Sequence, residues 1–242
     1  MHLPKNRWSA FAAHFSLSLL IFFSLLLTIV FFWYPGALFP AAGGWQGIRI
    51  VIGVDLVIGP LLTLIVYNYS KPRRLLYLDL SIIALIQLSC LAAGVFIVYD
   101  ERPVAVTYVH NKFYALKTSD FIKAGKETKS LDLNLMTPKK FYVDLSEFST
   151  NKEDEEVIAK LHEMAGKSLL FRTDLYRPIP TDRSEMESIF QYNSQPRHPD
   201  HWESCITVDI LTAYHSGQVC YDLEKHQLVS FVNKDSLATP AN

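Results

Sequence analysis

Charge is scarce in the first hundred residues of this 242-residue chain. Residues 1–100 hold 6 Lys/Arg and 3 Asp/Glu; subtracting these from the totals of 23 and 24 leaves 17 and 21 for residues 101–242. A water-facing domain needs a charged shell, so the first stretch excludes a plain cytosolic enzyme, whereas the second has the composition of an ordinary soluble domain. A basic surplus is also missing, with a formal net charge of −1. Nothing is therefore available to neutralise phosphates, and nucleic acid is excluded as the main partner. The sequence has no glycine-rich phosphate loop, no internal repeat and no low-complexity tract. Its three cysteines form no Cys-x-x-Cys pair, which argues against a thiol redox motif.

What is present is apolar sequence in long runs. Residues 15–34, 50–69 and 80–99 are each long enough for the roughly 20 helical residues that cross a bilayer. The first and third carry no charge and the second carries only Asp55. In lipid each must close its own backbone hydrogen bonds as a helix. Lys5 and Arg7 precede the first run, and Lys71, Arg73 and Arg74 lie between the second and third, whereas residues 35–46 have no charge. The positive-inside rule then places the N-terminus and the 70–79 loop in the cytoplasm and residues 101–242 outside. Trp8, Trp33, Tyr34, Trp45, Tyr67, Tyr69 and Tyr99 fall near span ends, as aromatic belts do. A signal peptide competes for the first run, with Ala41-Ala42-Gly43 as its cleavage site, but the apolar core exceeds the usual length.

Asp55 is the most informative residue of this half, because an unpaired carboxylate in a bilayer costs a few kcal/mol. It begins an i, i+4 row of Asp55, Gly59, Thr63 and Tyr67, a small and polar helix face. Pro60 frees the Leu56 carbonyl, and a kink is expected there. Two readings stay open. The row is a docking seam for another protein's helix, or it packs internally through Ser24 and Thr28 or Gln87 and Ser89.

Residues 101–242 suffice for one independent domain. Strands are expected at 104–109 and 113–116, joined through His110-Asn111-Lys112, then at 141–145, 169–172, 205–211, 218–223 and 227–232. Helices are expected at 152–165, with Gly166 as its stop, and at 184–192, where Ser184 and Glu187 fit a capping box; a short turn is expected at 120–124. The fold class is thus a membrane protein with three transmembrane α-helices (residues 1–100) followed by an α+β extracytoplasmic domain with an antiparallel sheet (residues 101–242).

Cys90 is mid-span, while Cys205 and Cys220 lie outside, where disulfides persist. Their 16-residue loop would contribute roughly 3 kcal/mol on the chain-entropy model. A tight hairpin turning near Ser216 would set Cys220 opposite Thr212, too far from Cys205. Either 212–217 makes a wider excursion or the bond does not form. His198, His201 and Cys205 are the best metal candidates, but their spacing matches no zinc signature and a solvated loop is the expectation. Asp209, His215 and Ser216 have the residue types of a hydrolase trio without a nucleophile elbow. Neither metal, cofactor nor catalysis is expected, and Arg102 reads as a headgroup anchor.

The run Gly53-Val54-Asp55-Leu56-Val57-Ile58-Gly59-Pro60-Leu61-Leu62-Thr63 is distinctive, as are the basic loop 71–74, Asp79-Leu80 and Tyr99-Asp100-Glu101-Arg102-Pro103. With Cys205 and His215-Ser216-Gly217-Gln218-Val219-Cys220, these resemble the bacterial type IV pilin accessory proteins over nearly the whole chain. The resemblance implies a non-enzymatic, multi-pass inner-membrane helper with a periplasmic domain, promoting assembly or surface display of a cognate major pilin. On that reading the face of Asp55, Gly59, Pro60 and Thr63 meets the pilin helix and the outer domain reads the pilin head. The alternatives are a membrane-tethered periplasmic sensor or ligand-binding protein and a periplasmic thiol or metal enzyme. The inner loop of about ten residues leaves a sensor no output domain.

Overall fold

Asn6 starts the first helix. Its side chain accepts the Ser9 amide at 2.8 Å, and the Ser9 hydroxyl accepts the Asn6 amide in return. This computed structural model describes residues 6–68, 70–126, 131, 133, 136–146, 157, 168–190 and 205–234. Chain packing divides it into two units, one of Met1–Val30 and Gly44–Tyr99, the other of Phe31–Gly43 and Asp100–Asn242.

The helical unit contains α1 (Arg7–Thr28), which runs on into a π-helical turn, Ile29–Trp33. After α2 (Leu38–Ala41), which lies in the other unit, come α3 (Gly44–Val51), a π-helical stretch (Ile52–Ile58), α4 (Gly59–Val66) and α5 (Arg73–Glu101). Among the described residues two helices are long and apolar enough to cross a bilayer, Arg7–Trp33 and Arg73–Glu101, with mean hydropathies of 2.6 and 2.4. They do not resemble soluble core helices, since Leu20, Leu85 and Phe96 point outward, Phe96 at 67% exposure. The middle apolar run differs from the uninterrupted span expected of it. It is α, then π, then α, and its apolar helix Asp55–Val66 is shorter than a full span. Pro60 explains the change: it lacks the N–H that an unbroken α-helix would direct at Leu56, and here it falls in the first turn of a new α-segment, where no such donor is required.

Lys71 closes the turn after α4. Its ammonium donates to the Val66 carbonyl at 3.4 Å and pairs with Asp79 at 2.7 Å, so the basic loop is also a helix C-terminal cap.

The other unit is built on a seven-stranded sheet of order β4-β3-β1-β2-β5-β6-β7. Its strands are β1 (Ala105–Val109), β2 (Lys112–Leu116), β3 (Lys139–Val143), β4 (Tyr176–Pro178), β5 (Cys205–Leu211), β6 (Ser216–Asp222) and β7 (Gln227–Asn233). His110 and Asn111 both adopt left-handed backbone, φ 49° and 60°, the two-residue turn that suits a hairpin's twist. The sheet is mixed rather than antiparallel, because β1 pairs with β3 and β2 with β5 in parallel. Parallel neighbours need long crossovers, so local turn signals did not reveal these pairings.

Residues 169–172, expected as a strand, instead form a 3₁₀ turn, Leu169–Phe171, that Arg172 links to a second, Thr173–Leu175. A bidentate Arg172–Asp174 pair holds them, and Leu169 and Leu175 enter the core. Helix α6 (Thr118–Lys123) follows β2, and α7 (Arg183–Phe190) covers one sheet face. The cap of α7 is Asp182, which accepts the Glu185 amide at 3.0 Å; the expected Ser184–Glu187 box is not used, and Glu187 pairs with Arg183. The expected helix 152–165 lies outside the described residues apart from Val157.

β1 is buried along its whole length because both faces are covered. On one side Val106 and Tyr108 join Phe113, Met186 and Phe190; on the other Ala105 packs with Phe121 and Phe141. Leu38 belongs to the first of these clusters. The Ala37 amide donates to the Leu228 carbonyl at 2.8 Å, and the Thr212 hydroxyl to the Ala41 carbonyl at 2.7 Å. Residues 31–43 are thus folded into the sheet unit although they precede it by some sixty residues.

Candidate functional site

The polar row of the middle helical stretch is the candidate that the sequence singles out. Helical spacing keeps Asp55, Gly59, Thr63 and Tyr67 on one face, and all four are buried within the helical unit, as is Pro60. Asp55 is 8% exposed and Thr63 3%. His14 of α1 lies against Thr63, its Nδ1 sharing a hydrogen bond of 2.6 Å with the hydroxyl. The Gln87 side chain of α5 also hydrogen-bonds His14. Gln87 packs directly on Gly59, where an added Cβ would lie 1.7 Å from its amide nitrogen. Gly47 has the same relation to α5 one length further on, a Cβ there meeting Val98 at 2.5 Å. Absence of side chains at these two glycines lets the helices approach closely, as small residues do in apolar surroundings.

The row therefore meets α1 and α5 of its own chain. Of the internal partners considered, Gln87 is used, whereas Ser24, Thr28 and Ser89 each donate to the carbonyl four residues before them on their own helix. His14 was missed by the sequence reading, since it stands one residue before the first apolar run and its partner is 49 positions away. The available signal was a lone imidazole between Ala12, Ala13 and Phe15. Chemically, this layer ties three helices together and fixes their register.

In the sheet unit Cys205 and Cys220 form a disulfide, with Cα atoms 5.6 Å apart. The hairpin register resolves the conflict anticipated from the sequence. Leu211 pairs with Ser216, so the turn is Thr212–His215, and Cys220 stands opposite Thr207 rather than Thr212. Cys205 is then a diagonal neighbour of Cys220, within bridging reach. The bond removes Cys205 as a metal ligand. His198 and His201 lie outside the described residues, among which no group of three metal-ligating side chains occurs.

The trio of Asp209, His215 and Ser216 is not assembled as a relay. Asp209 accepts from Gln218 at 3.2 Å, and the His215 ring faces Phe231. Arg102, expected at lipid headgroups, is buried. A polar cluster that the sequence did not suggest joins β2 to the end of α5: Lys117 donates to both Glu101 oxygens at 2.7 and 2.6 Å, and the Tyr214 hydroxyl donates to Glu101 at 3.4 Å. The hydrogen bonds to Glu101 hold Lys117 charged above its ordinary range, while burial pushes the Tyr214 phenol up.

Over 109 residues, 45% of this chain, the sequence is 35% identical to the fimbrial assembly protein of serogroup I of Dichelobacter nodosus. It is 34% identical to the serogroup E1 protein and 35% identical to that of serogroups C1 and C2 of the same organism, again over 109 residues. The matched stretch spans 42% of the length of the serogroup I and E1 proteins and 83% of the serogroup C1 and C2 protein. No family model matches the chain. No solved structure matches it either.

Proposed function

The chain belongs to the fimbrial assembly protein family, and from that premise we propose that it is a non-enzymatic, multi-pass inner-membrane factor that promotes assembly or surface display of a type IV pilin. The observation that carries this reading is the 35% identity over 83% of the serogroup C1 and C2 fimbrial assembly protein. Three features support it. Two apolar helices have the length of membrane spans. Basic residues flank the N-terminus and the 70–79 loop, which favours a cytoplasmic side for both. The disulfide favours an oxidising compartment, the periplasm, for the sheet unit.

Asp55, Gly59, Pro60 and Thr63 give the helical unit its internal register on this reading, because His14 and Gln87 already occupy that face. The pilin helix is then met by the exposed side of the same helix, at Leu61 and Ile65, the latter 77% exposed, and the pilin head by the sheet unit. Deleting the gene in a fimbriated host tests the function. Surface fimbriae are expected to fall while pilin remains in the inner membrane, and supplying the wild-type chain restores them. Normal fimbriation after deletion overturns the proposal.

A further inference from the structure

Ala41-Ala42-Gly43 has the form of a processing site. Small side chains stand at the first and third residues before the Gly43–Gly44 bond, and a basic start and the apolar helix Arg7–Trp33 lie upstream. The fold takes this stretch out of use. Ala41 is 0% exposed and Ala42 5%. Their amides donate to the Ala37 and Leu38 carbonyls at 3.2 and 2.8 Å, so the segment is a helical turn. An endopeptidase needs the residues before the cut accessible and extended, with their main-chain groups free to pair with its own. Here those groups are buried and already paired.

The cover comes from late in the chain. The Thr212 hydroxyl reaches the Ala41 carbonyl from 171 residues further on. Gly43, at φ +89°, lies under the Tyr214 ring, where an added Cβ would be 2.7 Å from it. The other end of the segment is held by the Ala37 amide on the Leu228 carbonyl and by Leu38 in the core with Tyr108 and Phe190. All of these contacts lie within one packing unit. At a synthesis rate of roughly 5–20 residues per second, about 10–30 s separate Ala41 from Thr212, and over that interval its cover does not exist.

We propose that the Gly43–Gly44 bond is a latent cleavage site for a membrane-bound endopeptidase that reads small side chains after an apolar span. It is open while the sheet unit is unfolded and closed once residues 31–43 are packed into it. Cleavage adds water across the peptide bond, leaving the Gly43 carboxylate on the first helix and the Gly44 ammonium on the remainder. A folded chain keeps its first helix. A chain whose sheet unit fails to fold is severed from it and loses His14, the partner of Thr63 on the buried row. The site rests on the membrane placement proposed above, which puts residues 31–43 on the outer side, and its test separates the two.

The test follows the full chain, tagged at its C-terminus, in bacterial membranes, with the first residue of each tagged species read by mass spectrometry. The wild type is expected to be intact, with a species starting at Gly44 only in trace. Thr212→Val combined with Tyr214→Ala removes the cover without touching the cleavage sequence. That pair should raise the Gly44 species roughly 5–30-fold, the change in open population for one or two lost contacts. Adding Ala41→Leu, which puts a large side chain at the third residue before the cut, should abolish it although the cover is no better. A wild type that already starts at Gly44 overturns the closure. An intact Thr212→Val/Tyr214→Ala chain, or a cut that survives Ala41→Leu, overturns the site. Glu224→Cys on a Cys90→Ser background, exposed to a membrane-impermeant maleimide in cells with a permeabilised outer membrane, separates the two readings. Labelling at 224 without the Gly44 species overturns the latent site alone. No labelling overturns the periplasmic placement and the latent site with it.

Discussion

A Cβ placed on Gly59 would lie 1.7 Å from the Gln87 amide nitrogen, and one on Gly36 would lie 2.2 Å from the Leu228 carbonyl oxygen. The obstacles differ in kind. Gln87 can swing its amide aside at the cost of its bond to His14, whereas Leu228 offers backbone that is paired in β7 and accepts from Ala37. Gly36 also has φ +60°, which a side chain strains. Gly59→Ala should therefore cost about 1 kcal/mol, the scale of an interhelical hydrogen bond in apolar surroundings. Gly36→Ala should cost roughly 2–3 kcal/mol, from backbone strain plus a lost hydrogen bond. Thermal unfolding of the purified protein in detergent orders the two, and equal losses would contradict the account. At this scale the sequence was half legible. The spacing of Asp55, Gly59 and Thr63 announced one helix face, but the partners His14 and Gln87 come from distant helices, and no local pattern names them.

At the scale of elements, the hairpin of β5 and β6 shows how much a turn decides. Thr212 organises it, its hydroxyl accepting the Tyr214 and His215 amides at 3.2 and 3.0 Å. That four-residue turn moves the hairpin centre from the expected Ser216 and brings Cys205 and Cys220 into reach. Both strands were readable from their apolar alternation, while their register depended on turn geometry that composition does not fix. Replacing both cysteines by serine should destabilise the sheet unit by roughly 3 kcal/mol on the chain-entropy model, read as a lower urea midpoint. The Glu101–Lys117 pair makes a pH prediction. Lys117 is held above its ordinary 10.5, so its contribution is full below that value and is lost as the pH rises through the folded pKa. Asp222, held below 3.8 by the Lys225 and Glu224 amides, contributes above that value and loses it as the pH falls. Raising the pH past 10.5 should lower the melting temperature of the wild type more than that of Glu101→Gln. Equal alkaline losses would remove the pair from the account.

At the scale of the whole molecule, the long apolar runs were plain, because crossing a bilayer demands only length and apolarity. The mixed sheet was not, because its parallel neighbours meet through crossovers such as residues 117–138, which carry no pairing signal. Nor was the role of residues 31–43, which read as an uncharged connection. Their apolar side chains were the clue: Leu38, 1% exposed, fills the core beside Tyr108 and Phe190. Leu38→Ala should cost about 2–5 kcal/mol in the sheet unit, as for other large-to-small core changes, seen as a fall in its urea midpoint. A fragment of residues 101–242 alone lacks this plug and should be less stable than one carrying 35–43 as well.

In-cell photo-crosslinking tests the central claim most directly. The photoreactive residue is placed at Ile65 on the exposed side of α4, at Val229 on the sheet unit, and at Gly59 as the buried control. Pilin adducts from 65 and 229 and none from 59 are the predicted result. Absence of a pilin adduct from both 65 and 229, with the chain inserted at its normal level, would contradict a direct role in handling pilin.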